Sequence, residues 1–279
     1  MSNEIPLQEP VQEQSDTRSA PRPVGTPSLA EDRLRPGPPQ GAPAPLPTSS
    51  PTPWLTYSLM AVTIGVYIAQ MVSLFLFNID WPAQLGLKIN QAIAQGQIWR
   101  LVTPMFLHGS ILHIAFNMYA LYIFGPGLER YFGRARFLTL YGLSGFAGNV
   151  ASLMFSTANS LGSSTAVFGL LSAQGVFIYQ NRELLGQGAR RALNNIISIA
   201  AVNLLIGLSP QIDNWGHIGG LVGGSLFTWF AGPILRMKGA FPALSLTDER
   251  ETGDVFRAGV WVGLLFTFLA AVTILLRVN

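Results

Sequence analysis

Seven long apolar stretches, separated by short polar segments, decide what this chain can fold into. They run approximately from Trp54 to Phe77, Pro104 to Phe124, Arg136 to Phe155, Ser164 to Tyr179, Leu193 to Leu208, Asn214 to Leu235 and Val255 to Leu276. Crossing the hydrocarbon core of a bilayer takes about 20 apolar residues, with a range of roughly 17 to 25. The fourth and fifth stretches are slightly short, and they span if loop residues complete them or if the bilayer thins locally. In lipid each backbone polar group must find its partner within its own segment, so the stretches are expected to be helices. Composition points the same way. Only 11% of the 279 residues are charged and 49% are hydrophobic, against roughly 25% charged in soluble domains. So few charges cannot cover a water-facing surface, and the expected fold class is an all-α membrane protein.

The stretches also divide the chain. Residues 1–53 hold 13 of the 19 prolines and too little apolar surface to offset the entropy of ordering, so they read as a disordered Pro-rich tail. Residues 54–235 form a six-helix core, 236–254 a linker, and 255–276 a seventh membrane helix. The acidic, Pro-rich start has no apolar centre and is not read as a secretory signal. Lysine and arginine set the orientation. Ten of them (Arg130, Arg134, Arg136, Arg182, Arg190, Arg191, Arg236, Lys238, Arg250 and Arg257) fall on the side of the tail, against Lys88, Arg100 and Arg277 on the other. The tail and the linker are therefore expected in the cytoplasm and the C-terminus outside, in a bacterial cell membrane. A net charge of +3, with no basic run interleaved with aromatics, gives no reason to expect nucleic acid. The absence of cysteine rules out disulfides, thiolate metal sites and a cysteine nucleophile.

Polar residues within such stretches are costly and normally face the bundle interior or a water-filled cavity. Here they gather at one depth. The second, fourth and sixth stretches start on the same side of the membrane. Their first turns carry His108, His113 and Asn117, then Ser163, Ser164 and Thr165, then His217. All three histidines of the chain belong to this set.

The residue types suit acyl transfer. Gly162 lets the chain turn tightly just before a helix. The first N–H groups of a helix have no internal partner and lie at the positive end of its dipole. A hydroxyl placed there, that of Ser164, can attack a carbonyl while neighbouring N–H groups receive the oxyanion. Serine needs a base to take its proton, and His217 is the histidine outside the second stretch. His113 and Asn117, four apart, share a helix face and suit the role of further oxyanion donors. No acidic residue lies at this level to complete a triad. Asp213 precedes His217 by four residues, at the membrane surface. A dyad is therefore expected, with Phe168, one turn after Ser164, stacking under the imidazole.

Each feature has a blander reading. Glycine- and serine-rich membrane helices pack closely through their small residues, which is the reading adopted for Gly220 and Gly224. His113 with Asn117 also reads as an interhelical hydrogen-bonding pair, Trp99-Arg100 as an interfacial anchor, and Glu129 with Arg130 as a cap or ion pair. No HExxH pattern accompanies the histidines, so no metal is expected. The convergence of separate stretches on one level carries the case for chemistry.

On these residues the chain resembles the rhomboid intramembrane serine proteases. The resemblance runs from about residue 54 to 235. It rests on Trp99-Arg100, His113-xxx-Asn117, Glu129-xxx-Gly133, Gly162-x-Ser164 and His217-xx-Gly220-xxx-Gly224. It implies a six-helix catalytic bundle, here with one additional C-terminal helix. It implies Ser164 as nucleophile, His217 as base, and an oxyanion site built from His113, Asn117 and the Ser164 N–H. Its expected substrates are transmembrane proteins cut within or next to a membrane-spanning segment, with no cofactor. The fifth helix, carrying Asn203, is expected to move aside to admit substrate. One departure stands out: the family commonly has glycine directly after the nucleophile, where this chain has Thr165, a β-branched residue that stiffens the turn and whose hydroxyl is placed to cap a backbone group. The rival reading is a non-catalytic rhomboid-like protein that escorts transmembrane helices; it has no need of both Ser164 and His217. A transporter would show broken helices in repeated halves, and the chain shows no such repeat.

Overall fold

A computed structural model describes residues 52–239 and 244–278. The proposed tail, apart from Thr52 and Pro53, and part of the linker lie outside the described residues. The described chain is mostly helical, with one hairpin and an isolated β-bridge between Lys88 and Ser160. Its helices are α1 (Trp54–Phe77), α2 (Trp81–Gly86), α3 (Asn90–Ala94), α4 (Ile111–Phe132), α5 (Arg134–Phe155), α6 (Ser164–Gln180), α7 (Arg182–Leu185), α8 (Gln187–Ile206), α9 (Asn214–Ala231) and α10 (Thr252–Val278). Two 3-10 turns, Ile98–Leu101 and Thr103–Phe106, lead into α4, and strands β1 (Leu235–Lys238) and β2 (Ser245–Asp248) pair antiparallel before α10.

Several boundaries differ from the sequence expectation. The second stretch does not become helical at Pro104. The helix starts at Ile111, where the Ser110 side chain accepts the His113 N–H, so His108 sits in the approach loop and not in a first helical turn. The fifth helix starts earlier than the apolar run, because Ala189, Arg190 and Arg191 belong to it. The sixth ends at Ala231, ahead of Gly232-Pro233, where proline cannot continue the ladder. The β1–β2 hairpin begins at Leu235, the last residue expected in the core, and continues through the linker.

Helices α1, α4, α5 and α10 are long and apolar enough to cross a membrane by length and composition. The polarity of α1 is inverted relative to a soluble protein. Its buried face carries Thr56, Thr63, Tyr67, Gln70 and Ser73, while Ile68 is 56% and Phe75 88% exposed. Apolar outside and polar inside is the arrangement lipid demands, and the chain is a multi-pass membrane protein.

Helix α9 is the hub, and its glycines explain why. Gly219 and Gly223 face α5, where a Cβ on Gly219 would lie 2.7 Å from the Ala147 carbonyl oxygen. Gly220 and Gly224 face α6, where a Cβ on Gly224 would lie 2.6 Å from the Gly169 Cα. Two glycine faces let two backbones approach at once. At the far end, the buried Glu129 of α4 accepts the Leu55 and Thr56 N–H groups at 2.9 and 2.7 Å and the Thr56 hydroxyl at 2.7 Å. It is the cap of α1, drawn to the positive end of that helix.

The long connection between α1 and α4 is stapled by Arg100. Its guanidinium donates to the Leu87 and Gln84 carbonyls, both at 2.7 Å, and to the Gln97 side chain. Trp99 donates its indole N–H to the Leu85 carbonyl. This pair organises the loop. Lys88 is fully buried and donates to the Ala158 and Ser152 carbonyls. Thus the connection is tied to the α5–α6 turn that presents Ser164.

Candidate active site

Ser164 is the first residue of α6. Gly162 reaches it through φ +130°, a conformation that costs glycine nothing, and donates its N–H to the Pro104 carbonyl. A side chain is excluded there for a second reason. A Cβ on Gly162 would lie 2.7 Å from Cε1 and Nε2 of His113 and 3.6 Å from the Ser164 hydroxyl oxygen. The His113 ring and the Ser164 hydroxyl therefore border one small space over Gly162.

The first turn of α9 brings His217 to the same place. Its Nε2 is 3.0 Å from the Ser164 hydroxyl oxygen. Phe168, four residues after Ser164, stacks on the imidazole with centroids 4.1 Å apart and planes 10° from parallel. The His217 Nδ1 is buried without a hydrogen-bond partner among the described residues. Asp213 is occupied elsewhere: one carboxylate oxygen accepts the Gly216 N–H as the α9 cap, and the other accepts the Ser152 hydroxyl proton. Among the described residues no carboxylate is hydrogen-bonded to the ring, and Phe168 is the aromatic stacked on it.

Asn117 lies one turn after His113, and its amide donates to the His113 carbonyl at 2.9 Å. It is buried within the same polar interior, but its recorded bond is to its own helix. Thr165 fits where glycine was expected because its neighbours are glycines: Cβ atoms on Gly148 of α5 and Gly216 of α9 would lie 2.6 and 3.1 Å from Thr165 carbons. The expected cap by its hydroxyl is absent, since Oγ1 is buried without a partner among the described residues. Gly220 takes the Thr165 carbonyl where a Cβ would overlap it, and Gly224 sits one turn below.

One group had no assigned role in the sequence. His108 places Nε2 3.2 Å from the Ser163 hydroxyl oxygen and its ring edge-on to His113, centroids 5.0 Å apart. Its N–H is taken by Gln70 at 3.0 Å, whose amide in turn donates to Asp80 at 2.7 Å. The signal was the buried polar face of α1, which is legible only once the burial of that helix is known.

The amino-acid sequence matches the family model described as "Rhomboid domain" over residues 95–234, half of the chain. Over 142 residues it is 33% identical to the putative rhomboid protease YdcA of Bacillus subtilis (strain 168), covering 70% of that protein. The chain belongs to the rhomboid family. Rhomboid relatives extend further along it: Rhomboid protease GluP of the same organism is 40% identical over 215 residues, 77% of this chain. RHOMBOID-like protein 9, chloroplastic, of Arabidopsis thaliana is 32% identical over 202 residues, 71% of this chain. The rhomboid match spans 40% and 45% of the length of these two relatives, respectively.

Proposed function

We propose that this rhomboid is an intramembrane serine endopeptidase that cuts transmembrane protein substrates within or next to their membrane-spanning segment by a Ser164–His217 dyad. The observation that carries the reading is the 3.0 Å contact between the Ser164 hydroxyl and His217 Nε2, made between the first turns of two different helices. In the reaction, Ser164 Oγ attacks the scissile carbonyl carbon while Nε2 takes its proton. The carbonyl oxygen becomes an oxyanion held by the Ser164 N–H at the α6 terminus, by His113 and by Asn117, which would turn its amide from the His113 carbonyl to the substrate. The imidazolium returns the proton to the leaving amine, and the C–N bond breaks. Water then attacks the acyl-serine with His217 again as base, and Ser164 is regenerated.

In the proposed topology six helices (α1, α4, α5, α6, α8 and α9) make the catalytic bundle and α10 is the seventh crossing. The Lys/Arg balance puts the N-terminus in the cytoplasm and the dyad toward the outer face. Helix α8 is the element suited to yield to a substrate, since Ala189 and Ile196 are its buried residues and the Asn203 side chain donates to the Ile199 carbonyl of the same helix. The test is cleavage of a reporter membrane protein by the full-length chain and by Ser164→Ala. Loss of cleavage in the variant is expected, and undiminished cleavage refutes the proposal.

A further inference from the structure

At the end of the bundle opposite the dyad, where α9 stops and α10 begins, a cavity of about 440 Å³ opens between the two helices. Along α10 its wall includes Arg257, Trp261 and Leu265, with Leu226 of α9 across from them. Steps of four keep the three α10 residues on one face. Their rise is roughly 12 Å, most of the depth of one leaflet of a hydrocarbon core about 30 Å thick. The groove is apolar along this depth and basic at its mouth, where Arg250 and Arg257 line it together with Asp254.

The two arginines differ in how they are held. Arg250 belongs to a fixed loop: its N–H donates to Asp248, and its carbonyl accepts from Arg136, which itself pairs with Asp248 at 2.5 Å. One Arg250 Nη donates to the Trp229 carbonyl at 2.7 Å, while Nε is buried without a partner. Among the described residues no carboxylate forms an ion pair with Arg250. Arg257 pairs with Asp254 at 2.7 Å and otherwise faces outward. Two guanidinium groups against one carboxylate leave the mouth with a single net positive charge.

We propose that this groove binds an anionic glycerophospholipid, its phosphodiester against Arg250 and Arg257 and one acyl chain along Trp261 and Leu265. The headgroup charge matches the net charge of the mouth, the exposed Arg257 guanidinium offers charged donors to a phosphodiester there, and Trp261, one turn below, gives the acyl chain an apolar wall. Such a lipid joins α9, whose other end carries His217, to α10.

Native mass spectrometry of the full-length protein, titrated with dioleoyl phosphatidylglycerol or dioleoyl phosphatidylcholine, tests the site. The wild-type protein should bind the anionic lipid more tightly. Arg257→Gln and Arg250→Gln should each weaken it roughly fivefold without changing phosphatidylcholine binding. Leu265→Trp, which fills the groove at a half-exposed position and keeps both charges, should abolish the preference. Arg250→Gln also removes the bond to Trp229, so Arg257→Gln and Leu265→Trp decide the matter if that variant fails to fold. Equal binding of the two lipids, or unchanged selectivity in these two variants, overturns the proposal. Inorganic phosphate displacing the lipid would assign the arginines to a free anion and overturn it as well. Ser164→Ala should bind the lipid like the wild type, which separates this site from the proteolytic reading.

Discussion

Ser164 and His217 lie 3.0 Å apart because each occupies the first turn of its helix and Gly216 and Gly220 of α9 leave room for the Thr165 side chain and carbonyl between those turns. In the proposed dyad the ring of Phe168, stacked on His217, takes the place of a third polar residue. Phe168→Ala is expected to lower kcat roughly two- to thirteenfold, the worth of a stacked pair at about 0.5–1.5 kcal/mol, with KM little changed; Phe168→Tyr should retain most activity. Comparing the kcat and KM values of the two variants checks it, and a normal kcat in Phe168→Ala would remove the ring from the account. These residues were legible because Ser, His and Phe at helical spacing carry their own chemistry. The role of His108 was not, since its partners Ser163 and Gln70 come from separate elements. Lys88 was read only as an outer charge. Burial pushes its amine from an ordinary 10.5 down to about 8, with Asp213 opposing the shift. Between those two values the unfolded chain holds a proton that the folded one has released, so stability rises with pH across that window. Thermal unfolding from pH 7.5 to 10.5 should show the rise, and Lys88→Met should flatten it.

The elements meet through absences of side chains as much as through contacts. Helix α9 packs on α5 by Gly219 and Gly223 and on α6 by Gly220 and Gly224, with the Thr165 methyl accommodated by Gly148 and Gly216. Gly224→Ala is expected to cost about 1–3 kcal/mol by overpacking, read as a lower melting temperature in detergent. The added Cβ presses on the Gly169 backbone and tilts the two helices that carry the dyad, so activity should fall with it. Helix identity was readable from apolar length, and so were ends such as both of α1 and the starts of α6 and α9, but several others were not. The start of α4 is set by the Ser110 cap and by the 3-10 turns holding Pro104. The end of α9 is set by Gly232-Pro233, and the apolar run continues past both signals. The β1–β2 hairpin has too few residues for its alternation to stand out against a polar linker.

For the whole molecule, the decisive property is the reversal of polarity. An apolar exterior such as that of α1 and a polar interior leading to His108, His113 and Asn117 make sense only with lipid outside. The proposed orientation rests on the distribution of Lys and Arg, which is a property of many segments and not of any one helix. Because the chain has no cysteine, single substitutions at exposed Gln95 and Lys238 report the two sides. Gln95→Cys should react with a membrane-impermeant maleimide in intact cells, and Lys238→Cys only after permeabilisation. The reverse pattern would invert the proposed topology. The same topology places the dyad near the outer face and the arginine-mouthed groove between α9 and α10 at the inner one.

The central claim is that a hydroxyl at the start of α6 is made nucleophilic by the imidazole stacked on Phe168. Covalent labelling of the membrane-embedded protein by a fluorophosphonate, with the modified residue mapped by mass spectrometry, tests it most directly. The account predicts label on Ser164 alone, absent in Ser164→Ala and lost in His217→Ala while that variant remains folded. Labelling that persists without His217, or that maps to another serine, would contradict it.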